Sequence, residues 1–103
     1  MTHPDNGGYH VDCSLVVLAA LRKLQRQATR GGRGQAFLSA FRRIIQSIRA
    51  KPNTVGEPMY RLPNLRLQIR LIIVSPLVIE YGVSEAHPFV LIRSGKLLSA
   101  PDV

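Results

Sequence analysis

The sequence predicts an α+β fold: an N-terminal strand and a two-helix hairpin packed on a mostly antiparallel, twisted sheet of three to four strands. Three observations carry that expectation. Two apolar stripes recur at helical spacing between residues 14 and 52. After residue 58 the period changes from 3.6 to two, as in a half-buried strand. The chain has 103 residues, the size of one domain with one modest core.

The elements follow in order. Tyr9 to Cys13 is short, with Tyr, Val and Cys, and reads as a first strand. Ser14 is the expected N-cap of a helix in which Val17, Leu21, Leu24 and Ala28 share one face, with Arg22, Lys23, Gln25 and Arg26 mostly outside it. TRGGRG then interrupts the pattern. It lacks the Lys and Ser/Thr of a P-loop, and no clear strand precedes it, so it reads as a turn between helices. In the next helix Phe37, Phe41, Ile44 and Ile48 form the stripe, widened by Leu38 and Ile45. Arg42, Arg43, Arg49 and Lys51 occupy the rest, and Pro52 marks the stop.

Three further strands are expected. LRLQIRL places Leu65, Leu67, Ile69 and Leu71 on one face and Arg66, Gln68 and Arg70 on the other, the latter read as solvated. Ser75-Pro76 signals a turn, and LVIEYGV is rich in branched and aromatic residues. After the polar SEAHP, PFVLIRSGKLL reads as a last strand broken near Ser94-Gly95.

Composition narrows the functional classes. Fourteen Lys and Arg oppose six acids, for a formal net charge of +8, and eleven of the fourteen are Arg. Arginine grips phosphate through two donors at once, so this excess fits a nucleic-acid or acidic-protein partner. Cys13 is the only cysteine, which precludes an intrachain disulfide and suits a packing role. MTHPDNGGYH has neither a basic n-region nor an apolar h-region, so residues 1–8 are expected to be a flexible leader and 9–103 a single domain. The apolar run after Arg70 is interrupted by Ser75, Pro76 and Glu80, which falls short of the roughly 20 residues a spanning helix needs.

The order of elements, with IRAKPNTVGEPMYRL leading into the basic strand LRLQIR, then LVIEYGV with its tyrosine and a closing FVLI, resembles the RelE/ParE superfamily of toxins from type II toxin–antitoxin systems. The similarity runs from about Tyr9 to Leu98. It implies a βααβββ fold and a basic cytoplasmic protein held inactive by a cognate acidic antitoxin. RelE-like members enter the ribosome and cut mRNA without metal or other cofactor. ParE-like members inhibit DNA gyrase, and a third group keeps the fold without the activity. The expected function is the ribosome-dependent endoribonuclease, with a ParE-like gyrase inhibitor or a catalytically degenerate antitoxin-binding protein as alternatives.

RNA cleavage of this kind needs a base for the attacking 2′-hydroxyl, a cation for charge building on the phosphate, and an acid for the leaving 5′-oxygen. The resemblance implies Arg66, Arg70, Tyr81 and Lys96 as catalytic candidates. It implies Arg61, Arg66, Gln68, Arg70, Arg93 and Lys96 as RNA contacts. Tyr81 would need nearby cations to lower its phenol, which ordinarily titrates at about pH 10. Two departures favour the gyrase alternative, in which Arg42, Arg43 and Arg49 could contact gyrase or DNA. Val78 stands three positions before the tyrosine, where many relatives carry Arg, and no histidine follows His87. Glu80, pointing away from Tyr81, is expected to pair with an arginine.

Overall fold

The structure is a computed structural model, and it describes residues 8–99. The leader expected at residues 1–8 lies, apart from Gly8, outside the described residues. The elements are β1 (His10–Cys13), α1 (Leu15–Arg30), α2 (Gly34–Ala50), β2 (Glu57–Leu62), a 3-10 turn (Pro63–Leu65), β3 (Leu67–Val74), β4 (Leu77–Ser84) and β5 (Phe89–Leu97). One sheet holds all five strands in the order β1-β5-β4-β3-β2. β1 runs parallel to β5, and every other pairing is antiparallel.

Both helices form where the 3.6-residue stripes place them. Ser14 caps α1, its hydroxyl accepting from the Val17 N–H at 3.1 Å. The hairpin turn uses Gly32 at φ 77°, a conformation that disfavours any side chain. Arg33 anchors that turn to the sheet by donating from Nη1 to the Leu98 carbonyl at 2.9 Å. The faces turned inward are Leu21 and Ala28 of α1 and Phe37, Ala40, Ile44 and Ile48 of α2. They meet Ile72 of β3, Leu77, Ile79, Tyr81 and Val83 of β4, and Val90 and Ile92 of β5. Each fully buried aliphatic side chain here contributes on the order of 1.5–3 kcal/mol through removal of apolar surface from water. Gly95 lies on the same side of the sheet, and a Cβ there would come within 2.8 Å of Leu21 Cδ2, so the missing side chain lets α1 seat closely. Cys13 packs, half-buried, against this core.

Four expectations are corrected. The sheet has five strands, because Glu57–Leu62 pairs with β3 as an edge strand. Nearly every residue of β2 is exposed, so the strand carries no burial pattern that a reader of the sequence could follow. A bulge between Pro58 and Tyr60 further breaks its alternation. Second, β3 starts at Leu67 rather than Leu65: Leu65 belongs to the 3-10 turn, and Arg66 follows it in a left-handed conformation at φ 53°. Arg66 therefore does not share a strand face with Gln68 and Arg70. Third, the face of β3 that carries Gln68 and Arg70 is not the solvated one. It continues into Ile72 and faces the helices; the opposite face buries Leu67 and Ile69, as expected, and opens to solvent only at Ile73, 53% exposed. The last strand also runs unbroken through Ser94-Gly95, with its irregularity one residue earlier, where Arg93 is extruded from the pairing with β4.

Among the described residues, no helix is long and apolar enough to cross a membrane.

Candidate functional site

The strongest polar constellation sits where α2 hands over to β2. Arg70 and Tyr81 are direct cross-strand partners on the helix side of β3 and β4. Tyr81 is completely buried, and Arg70 is 9% exposed. Arg70 donates from Nε to the Val55 carbonyl at 3.1 Å and from Nη2 to the Gly56 carbonyl at 3.3 Å. The Tyr81 hydroxyl shares its one proton between the carbonyls of Pro52, at 3.0 Å, and Val55, at 2.9 Å. Gly56 completes the packing at φ 69°. A Cβ there would lie 2.6 Å from the Leu71 carbonyl oxygen and 3.2 Å from the Tyr81 hydroxyl. The two side chains thus act as fasteners for the segment 52–56, satisfying carbonyls of a connection that lies outside both α2 and β2.

This placement bears directly on their chemistry. Burial pushes the Tyr81 phenol above its ordinary range, and the hydrogen bond and charge of Arg70 only partly oppose it. A phenol shifted upward is a poorer general base at neutral pH, and this one already spends its proton on backbone. Arg70 has no carboxylate partner among the described residues, so its charge is met by carbonyl dipoles.

A second cluster forms at the far end of the β2–β3 hairpin. Arg61 holds Glu85 in a two-pronged ion pair, with Nε on Oε2 and Nη2 on Oε1 at 2.7 Å. The Arg61 hydrogen bond holds the Glu85 carboxyl below the usual range; burial opposes this, and the charges of Arg61 and Arg66 add to it. The Arg66 carbonyl accepts from the Glu85 N–H at 2.9 Å, which fixes the 3-10 turn against the β4–β5 connection. Gln68, half-buried, donates to the Tyr60 carbonyl at 3.3 Å.

The remaining candidates lie on the opposite face of the sheet. Lys96 is exposed and pairs across from the buried Val78. Arg93 approaches Glu80 at 3.5 Å, and Glu80 also accepts from the Tyr60 hydroxyl at 3.2 Å. Glu80 therefore meets an arginine as its position on the strand suggested. The Arg93 Nε is buried without a hydrogen-bond partner. His87 is exposed in the β4–β5 connection, its backbone N–H donating to the Ser84 hydroxyl at 3.0 Å.

The structure thus brings Arg70 and Tyr81 together, and Arg61 and Arg66 around Glu85, but puts Lys96 and Arg93 across the sheet from Arg70 and Tyr81. No single phosphate position is surrounded by Arg70, Tyr81 and Lys96. Sequence reasoning missed Glu85 as the partner of Arg61 and the carbonyls of Pro52, Val55 and Gly56 as the partners of Arg70 and Tyr81. No side-chain signal marks a carbonyl acceptor, but Gly56 just before β2 was the available clue to a close backbone approach. No protein-family model matches the chain, and no curated protein matches it.

Proposed function

We propose that this protein is the toxin-type member of a type II toxin–antitoxin pair and that it acts by occupying its target, in the ParE-like mode with DNA gyrase as the target, rather than by cleaving RNA. The observation that supports this mode is the engagement of Arg70 and Tyr81 with the carbonyls of segment 52–56, which leaves the best catalytic candidates committed to holding the fold. An inhibitor needs a binding surface and no acid–base pair. A cytoplasmic location and a cognate acidic antitoxin belong to the same proposal, and the net charge of +8 would speed capture by such a partner.

The test is induced expression of the chain alone and together with a small acidic reading frame adjoining its gene. Growth should stop in the first case and recover in the second, with plasmid supercoiling lost and mRNA intact. Codon-specific cuts in mRNA, abolished in a stably folded Tyr81→Phe variant, would restore the endoribonuclease reading. Harmless expression would reject toxicity altogether and leave a degenerate antitoxin-binding protein.

A further inference from the structure

The charge of this chain is not spread evenly. No Asp or Glu occurs between Asp12 and Glu57, a span that holds nine of the fourteen basic residues. From Glu57 to Ser99 there are five basic residues and three acids. The acid-free span is the helical hairpin with its two junctions, so the cationic excess belongs to the helix layer and not to the sheet. From this we infer that the outer face of the α1–α2 hairpin is a binding surface for the phosphate backbone of nucleic acid. The inference does not depend on the toxin reading.

The geometry of the helices arranges these charges. Arg22, Arg26 and Arg30 follow one another at i, i+4 and i+8 along α1, opposite the buried Leu21 and Ala28. Arg42 and Arg49, at i and i+7 on α2, stand opposite the buried Phe37, Ile44 and Ile48. All five are exposed, and none has a carboxylate partner among the described residues. At 1.5 Å of rise per residue, the α1 row is about 12 Å long. The packed neighbour places the α2 row roughly 8–10 Å to its side. One strand of a duplex carries a phosphate about every 3.4 Å along the axis, so the α1 row faces about three or four phosphates. Exposed Gln35, Ser39 and Gln46 on α2 supply further hydrogen-bond donors between the cations.

The same face argues against other polyanions. The large apolar side chains that are most exposed are Leu15, Val16, Met59, Tyr60, Leu65 and Ile73, and none lies between Ala19 and Ala50. A protein partner takes most of its affinity from buried aromatic or apolar anchors, and along the arginine rows this face offers none beyond Leu15 and Val16 in the first turn of α1. An anionic bilayer would likewise need apolar residues to insert; on the hairpin only Leu15 and Val16 in the first turn of α1 are so exposed, and the stripes that follow pack against the sheet. A nucleic-acid backbone requires only cations and donors at the right spacing.

The experiment is a salt titration of binding to labelled duplex DNA and to an RNA hairpin, followed by fluorescence anisotropy, with polyglutamate as the competing polyanion. Two charge-matched variants are compared: Arg22→Gln/Arg26→Gln/Arg42→Gln on the helices, and Arg61→Gln/Arg66→Gln/Lys96→Gln on the sheet side. Circular dichroism melts establish that both remain folded. Each lost phosphate contact on a duplex flattens the slope of log K against log salt by about 0.9, so the helix variant should lose about 2.7 from it. Between 50 and 200 mM salt the wild type should then weaken about 40-fold more than that variant. The sheet variant should change the slope by less than about one. The inference is overturned if the sheet variant flattens the slope as much as the helix variant, if neither nucleic acid binds in a salt-dependent way, or if polyglutamate competes as well as nucleic acid.

Discussion

Replacing Tyr81 by Phe removes one oxygen and leaves the ring in its place between the helices and the sheet. That oxygen serves two carbonyls, and the loss falls unequally on them. The Val55 carbonyl keeps Arg70 Nε as a donor at 3.1 Å. The Pro52 carbonyl loses its only donor among the described residues, and Pro52 itself is buried. One hydrogen bond between neutral groups contributes about 1 kcal/mol net, and a buried carbonyl left without a donor costs about 1–3 kcal/mol. The expected destabilisation is therefore about 2–3 kcal/mol. For a domain near 100 residues, 1 kcal/mol corresponds to about 4–8 °C in Tm, so the midpoint should fall by about 10–20 °C. Urea unfolding followed by circular dichroism should show a lower midpoint with an unchanged slope, since the surface exposed on unfolding is the same. A loss below about 0.5 kcal/mol would refute the argument, because it would mean that the hydroxyl does not hold segment 52–56.

The other predictions concern the same connection and the exposed ion pair. Gly56→Ala should destabilise by at least about 2 kcal/mol, from a left-handed backbone and a Cβ pressed on the Leu71 carbonyl oxygen, and a melt within about 0.5 kcal/mol of wild type would contradict the packing described. Glu85, held below its ordinary range by Arg61, contributes stability that is present above the unfolded pKa of about 4.3 and is lost as pH falls through the lower folded value. The pair is exposed, so the effect is small; stability curves for wild type and Arg61→Gln should separate near neutral pH and converge at acid pH, and a separation that persists in acid would discount the pairing.

The helices were legible because burial on one side imposes a 3.6-residue rhythm, and Leu21, Ala28, Phe37, Ile44 and Ile48 obey it. The strands were harder for two physical reasons. β2 is an edge with nearly every residue exposed, so the hydrophobic effect wrote no alternation into it. In β3 the alternation between Leu67, Ile69 and Gln68, Arg70 is real, and Leu67 and Ile69 are buried, but alternation does not reveal that the second face is covered as well. The reading that charge marks the solvated face fails at Arg70, because backbone carbonyls can satisfy a buried guanidinium as water would. The same limit applies to the candidate site: residue types suggested cations and a phenol, whereas their partners are main-chain atoms of a connection that has no distinctive sequence.

The free edge at β2 bears on how the protein behaves at high concentration. An exposed, fully extended edge can template another chain, and repetition of that contact leads to fibrils. Here Pro58 removes one donor from the strand, and the bulge at Met59 bends it out of regular register. The opposite edge, β1, is only four residues long, and the N–H of Tyr9 just before it is already bonded to the Arg49 carbonyl at the end of α2. Among the described residues, neither border therefore offers a long, flat, regular row of donors and acceptors to be copied, which disfavours growth of this sheet beyond five strands.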